Sequence, residues 1–379
     1  MKRNYLILFF LWMLPSMIVN SQTTISDSFI FDGIVRNYRL YIPETYNPAN
    51  PAPLVFNLHG YGSNNIEQEL YADFRPIADT AGFLLVHPNG TLDGSNNLHW
   101  NTFGTSNVDD VGFLSALMDS ISITYNIDFD QIYSTGMSNG GFMSYSLACA
   151  LSHRIAAIAS VTGTMINTTF NACEPQRPMP LMHIHGTADG TVPYNGNVFF
   201  VSVPALIDYW VEHNNCSATP VITEVPDIDP NDGCTAEHYL YTGGDLGSTV
   251  EHYKIIGGGH SWPGAPININ ITNMDFSASE EIWRFFRQYN LDGLITRLTE
   301  KNEPDFYVSA FPNPSNGLVN LSYAENGPKK IHVYNQLGQL IQHINTTDKN
   351  TTIYLPAKGL YFISSSINNS RITTKIVNQ

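Results

Sequence analysis

The sequence predicts an α/β protein, a mostly parallel sheet flanked by helices, followed by a small sandwich-like all-β domain. Three observations lead there. Between about residues 52 and 289, short apolar runs alternate with stretches of helical period. The alternation stops near Asp292, where the polar segment "DGLITRLTEKNEPD" intervenes. Beyond it only strand-like segments remain, broken by Pro-Asn-Pro, Leu-Gly and Lys-Gly turns.

Residues 1–21 open with Lys2 and Arg3, run through "YLILFFLWMLPSMIV" and end in "VNS". The apolar run holds Pro15 and falls short of the roughly 20 residues a bilayer requires, so it reads as a signal peptide rather than an anchor. "FIFDGIVRNYRLYIP" alternates around Asp32-Gly33 as a hairpin does. "PLVFNLHG" is a buried strand, "EQELYADFRPIADTAG" a helix, "FLLVHPNG" a strand, "VDDVGFLSALMDSISITY" a helix and "DQIYSTG" a strand. The rhythm continues through helix "GGFMSYSLACAL", strands "IAAIASV" and "PLMHIHG", helix "VPALIDYWVEHN", strand "VEHYKIIGGG" and helix "ASEEIWRFFRQY". Strands joined through helices lie parallel, because the chain must cross back over the sheet between them. The expected division is a leader over 1–21, an α/β body over 22–291, a linker over 292–305 and a β-rich domain over 306–379.

With 379 residues and 43% hydrophobic content the chain can fill a real core. Its charge is uneven: residues 23–305 carry 31 acidic and 10 basic side chains, residues 306–379 carry 2 and 6. An acidic body repels phosphate backbones, which argues against nucleic acid as a partner. All four cysteines lie in the body. In an exported chain an even number points to disulfides, with Cys149 pairing Cys173 and Cys216 pairing Cys234 as sequence neighbours. No C-x-x-C spacing favours a metal.

The chemistry gathers around "STGMSNGG", residues 134–141. A strand that turns sharply into a helix crowds the backbone, so Gly136, Gly140 and Gly141 flank Ser138 and lift its hydroxyl clear of the sheet. A serine hydroxyl needs a base, itself oriented by a carboxylate. Asp189 in "HIHGTADG" and His260 in "GGGHSWPG" follow strands in the chain order Ser, Asp, His of an α/β-hydrolase. The expected oxyanion donors are the backbone N–H groups of Tyr61, after the strand ending at His59-Gly60, and of Asn139. His59 reads as a packing residue. His183 and His185 form H-x-H without a third clustered ligand, and "DIDPNDG" places its glycine one position late for a calcium loop, so neither a metal nor a cofactor is expected. Asp109 and Asp110 precede a helix and read as caps. Trp100 and Trp262, in loops at strand ends, are expected to wall the substrate pocket.

Seven blocks in order, "LHGYGSN", "HPNG", "HWNTF", "DDVGFL", "GMSNGG", "HIHGTAD" and "GGGHSWPG", resemble the polyhydroxybutyrate depolymerase-like esterases. That family is allied to the feruloyl and acetyl xylan esterases. The resemblance covers about residues 28–289. It implies a serine ester hydrolase with Ser138 as nucleophile, His260 as base and Asp189 as orienter. Feruloyl or acetyl esters of plant polysaccharides, or hydroxybutyrate oligomers, are the implied substrates. The last 70-odd residues are similar to the type A sorting domain of the type IX secretion system through "FPNPSNG", "VYNQLGQLI", "GLYFI" and "TTKIV". That implies export to the surface or medium, with the secretion machinery as partner and no membrane span in the mature chain. A dedicated polymer-binding module, common in extracellular polyester depolymerases, has no counterpart in such a tail. A peptidase on the same fold and a non-catalytic surface binding protein remain as alternative readings.

Overall fold

In the computed structural model the described residues are 22–295, 308–323, 327–335, 340–367 and 370–379. The expected signal peptide and residues 296–305 of the expected linker lie outside them. The chain divides into two compact units, residues 1–295 and 296–379.

The first unit is built on ten strands: β1 (Thr23–Phe31), β2 (Ile34–Ile42), β3 (Ala52–Leu58), β4 (Leu84–Pro88), β5 (Ile127–Met137), β6 (Ala157–Val161), β7 (Leu181–Gly186), β8 (Val221–Glu224), β9 (Thr235–Tyr241) and β10 (Val250–Ile256). They are ordered β1-β2-β4-β3-β5-β6-β7-β10-β9-β8. The six from β4 to β10 along that order are parallel. Antiparallel strands close both edges. At the first edge Asp32 and Gly33 take positive φ, 49° and 76°, the conformation a two-residue hairpin requires.

Side chains alternate across the sheet and feed two cores. Leu54, Phe56 and Leu58 of β3 face α3 (Asp110–Thr124), α4 (Asn139–Ala150) and α5 (Val203–His213), with Phe113, Leu117, Leu147, Leu206 and Trp210 buried among them. Val55 of the same strand faces the other side, with Met182, Ile184 and the helix α6 (Ala278–Phe286) through Ile282, Phe285 and Phe286. Each such side chain contributes about 1.5–3 kcal/mol on burial, so a one-residue slip of register would expose a whole face.

Three elements depart from the sequence reading. The helix expected over 67–82 is two helices, α1 (Asn65–Tyr71) and α2 (Arg75–Ala81). Pro76, in the first turn of the second, has no N–H to continue the first. The β8–β9 hairpin was not foreseen, and a short pairing of Tyr289–Asn290 with Gly293–Leu294 carries structure past residue 291. Asp109 caps α3 as expected, accepting from Gly112 N at 2.8 Å, but Asp110 is buried against Arg36 at 2.5 Å and also accepts from Asn101 N. Its role is a buried ion pair rather than a cap.

Cys149 and Cys173 are bonded, but Cys216 and Cys234 are free. Cys216 lies beyond the Tyr241 end of β9, where Ser217 N meets Thr242 O, whereas Cys234 immediately precedes Thr235 at the other end. Seven residues of strand separate the two ends by about 24 Å, far beyond the roughly 7 Å between Cα atoms that a disulfide spans.

The second unit holds a three-stranded sheet, Val308–Phe311, Leu318–Tyr323 and Asn350–Tyr354. A four-stranded sheet comprises Lys329–Asn335, Leu340–Thr346, Gly359–Ile367 and Ser370–Asn378. Val319, Leu321 and Ile353 of the first share one core with Ile331, Val333 and Ile363 of the second. This is the all-β sandwich the alternating pattern predicts.

Candidate active site

β5 ends at Met137, α4 begins at Asn139, and Ser138 alone makes the turn with φ 53° and ψ −118°. That backbone is costly for a residue with a side chain and persists only because its surroundings enforce it. A Cβ on Gly140 would stand 2.1 Å from Leu58 O, and one on Gly136 would stand 2.6 Å from the same oxygen. The glycines therefore permit α4 to start directly against β3.

β7 and β10 supply the other two groups. Asp189 follows β7 and His260 follows β10, neighbours in the sheet, and their side chains meet with His260 Nδ1 at 2.7 Å from Asp189 Oδ2. Asp189 Oδ1 accepts from Thr191 N and Val192 N, both at 2.8 Å. His185 Nε2 lies 3.3 Å from Oδ2. Burial alone would raise this carboxyl's pKa. The hydrogen bonds from His185 and His260 outweigh that desolvation and hold it well below the usual carboxylate range. Asp189 is thus a buried, fully solvated-by-protein anion facing an imidazole.

Ser138 and His260 line one cavity of about 410 Å³ with Gly60, Tyr61, Leu70, Tyr71, Met137, Ile267 and Ile269. The peptide at Gly60-Tyr61 is fixed from behind. His59 Nδ1 lies 2.7 Å from Gly60 O, which also accepts from Ser63 N at 3.2 Å. In a trans peptide the following N–H points opposite to that carbonyl, so these bonds set the direction of the Tyr61 amide. Burial pushes His59 down to about 4, and its Nε2 accepts from Gly90 N at 3.0 Å, so it is a neutral structural donor. Neither the Tyr61 nor the Asn139 amide donates to an acceptor among the described residues.

The Asn139 side chain braces the loop beside it, accepting from Trp100 N at 2.7 Å and donating to Thr102 Oγ1 at 2.8 Å. Trp100 and Trp262 do not wall the cavity. Both are buried: Trp100 Nε1 donates to His59 O, and Trp262 Nε1 donates to Ser279 Oγ. Trp262 N also donates to the hydroxyl of Tyr71, a cavity residue, at 3.1 Å. Large indole surfaces near a site serve packing first, and here they support the groups that do line it. The sequence does not mark the lining residues Leu70, Ile267 and Ile269, because nothing local distinguishes a helical leucine or a loop isoleucine that faces a pocket. Asp232, in the segment compared with a calcium loop, accepts from Cys234 N and Met274 N and so fastens a turn.

Residues 309–379 match the family model described as secretion system C-terminal sorting domain. The body is similar to a bifunctional acetylxylan esterase/xylanase of Neocallimastix patriciarum, 30% identical over 276 residues, covering 72% of this chain and 36% of that protein. The chain thus spans about a third of that relative's length. Feruloyl esterase D of Neurospora crassa is 28% identical over 282 residues, with 72% of this chain and 87% of the relative covered. Among solved structures, an acetyl xylan esterase from Aspergillus awamori superposes with a TM-score of 0.52 at 14% identity, over 71% of this chain and 99% of that one. The fold of the body is therefore that of an α/β-hydrolase. The sorting domain marks the chain as secreted or held at the cell surface. Among the described residues no helix is long and apolar enough to cross a membrane.

Proposed function

We propose that this carboxylic ester hydrolase, a relative of feruloyl and acetylxylan esterases that carries a secretion sorting domain, cleaves aromatic acyl esters of plant polysaccharides through a serine acyl-enzyme. The observation that carries the reading is the His260–Asp189 pair opening onto the cavity that also holds the strained Ser138 turn. Ser138 Oγ attacks the ester carbonyl as its proton passes to His260 Nε2. Asp189 keeps the Nδ1 proton in place and stabilises the imidazolium that forms. The tetrahedral oxyanion accepts from the Tyr61 and Asn139 amides. His260 returns the proton to the departing alcohol, and water repeats the sequence to release the acid.

The cavity supports an aromatic acyl group. Tyr61, Leu70, Tyr71, Met137, Ile267 and Ile269 offer apolar walls, while Ser63, Glu67 and Asn270 place polar atoms at its edge for a ring hydroxyl. At about 410 Å³ the space suits a small drug-sized group, and an acetyl would leave most of it empty. Export through the type IX machinery, read by residues 309–379, completes the proposal.

The test is a panel of methyl ferulate, acetylated xylan, hydroxybutyrate oligomers and aminoacyl amides on the full chain. Methyl ferulate is expected to give the highest kcat/KM, and Ser138→Ala to lower kcat by about a millionfold. Turnover unchanged in Ser138→Ala would refute the mechanism. Preference for amides would favour a peptidase, and turnover of nothing in the panel would favour a binding protein.

A further inference from the structure

His183 and His185, the H-x-H pair of β7, belong to no cluster of three or more metal-ligating side chains among the described residues, and both are fully buried on the sheet face that carries α4. They form a chain of hydrogen bonds that begins under α4 and ends on the carboxylate. The Tyr145 hydroxyl lies 2.8 Å from His183 Nδ1, His183 Nε2 lies 3.2 Å from His185 Nδ1, and His185 Nε2 lies 2.8 Å from Val192 O and 3.3 Å from Asp189 Oδ2.

The proton positions follow from the two ends. Val192 O and an ionised Asp189 only accept, so His185 Nε2 bears hydrogen. The Tyr145 hydroxyl proton has His183 Nδ1 as its one acceptor among the described residues, so that nitrogen carries a lone pair. His183 Nε2 then bears hydrogen and donates to His185 Nδ1. Both rings are neutral in this arrangement, and the Tyr145 hydroxyl and all four ring nitrogens of His183 and His185 have matching partners. Burial independently holds His183 far below its ordinary range, with His185 and His252 adding to the effect.

We propose that the Tyr145–His183–His185 chain is a positioning device for the acid of the relay: it fixes His185 as the Nε2–H tautomer, and that N–H holds the Asp189 carboxylate and its turn in line with His260. The grip is double. Val192 O accepts from His185 while Val192 N donates to Asp189 Oδ1, so one imidazole fastens both the anion and the loop that cradles it. A neutral donor does this without adding a positive charge that would compete with the imidazolium formed at His260. The inference rests on Asp189 and His260 acting as proposed above.

Two measurements on the full chain test it. In the resting wild-type protein, nitrogen-resolved NMR should show His183 and His185 as neutral Nε2–H tautomers, together with a low-field His260 Nδ1 proton. An Nδ1–H tautomer or a doubly protonated ring at either position would overturn the proposal, whatever the enzyme hydrolyses. The second compares His185→Phe with His185→Gln, whose amide nitrogen can replace the Nε2 donor. Losing a hydrogen bond to a charged group should cut kcat about 10- to 100-fold at nearly constant KM in the Phe variant, with the Gln variant within about fivefold of wild type. The low-field His260 proton should broaden in the first and persist in the second, a readout that needs no turnover. Equal behaviour of the Phe variant and wild type would sink the inference while leaving the Ser138→Ala result, and the mechanism it tests, untouched.

Discussion

The two sides of the relay are held in place by different physics. On one side Ser138 is positioned by backbone sterics: a left-handed φ of 53°, glycines pressed against Leu58 O, and a helix that starts one residue later. On the other, Asp189 and His260 come from loops after β7 and β10 and are held by side-chain hydrogen bonds, four donors converging on one carboxylate. The first arrangement is local in sequence and tolerates almost no substitution. The second is assembled across the sheet and its tolerance depends on which proton each partner carries.

That contrast ranks the perturbations. After loss of the nucleophile itself, the largest belongs to the polar side: Asp189→Asn keeps the shape but presents an amide to His260, favours the wrong tautomer, and should lower kcat by about 10⁴-fold with the fold intact by circular dichroism. Retained turnover would mean that the carboxylate's charge and tautomer control are dispensable. The steric side should fail differently. Gly140→Ala forces a methyl group into Leu58 O and should lose about 3 kcal/mol, or roughly 6–12 °C in the melting of the body seen by calorimetry. A variant that melts like wild type would show the elbow to be looser than its contacts imply.

The far end of the same helix carries a covalent brace, Cys149 to Cys173, across 24 residues. Replacing both by Ser should cost about 3 kcal/mol in thermal unfolding. Thiol titration of the denatured, unreduced protein should count two free groups, Cys216 and Cys234; none would restore the second pairing expected from the sequence. The smallest effect is expected at Asn139→Ala, which keeps the backbone amide but frees Trp100 and Thr102. A loss of about tenfold in kcat is predicted, measured on methyl ferulate, since a modest shift of a donor is enough to weaken the transition state.

The same contrast governs what was legible in the sequence. Sterically enforced features were readable: the glycines around Ser138 and the Asp32-Gly33 turn announce themselves in a few adjacent letters, and alternating strands and helices gave the parallel sheet. Features made by long-range pairing were not. His183 and His185 carried no assigned role in the sequence, because their partners, Tyr145 and Asp189, lie 38 and 4 residues away from them and only the fold aligns all four. Proximity in sequence suggested Cys216 with Cys234, yet a strand running between them carries them to opposite ends. Trp100 and Trp262 sit at the loops where pocket walls are sought, but burial of an indole with a satisfied N–H outweighed exposure to a ligand. The cavity walls instead come from Leu70, Ile267 and Ile269, whose contribution depends on how a short helix and a distant loop face each other.

The most direct test of the relay is covalent capture of its nucleophile. The full chain, treated with an aryl phosphonate ester, should gain one adduct per chain, mapped by mass spectrometry to the peptide containing Ser138, in step with loss of ester hydrolysis, and Ser138→Ala should gain none. Hydrolysis that survives complete labelling of Ser138, or an adduct that forms on another residue as activity falls, would contradict the account.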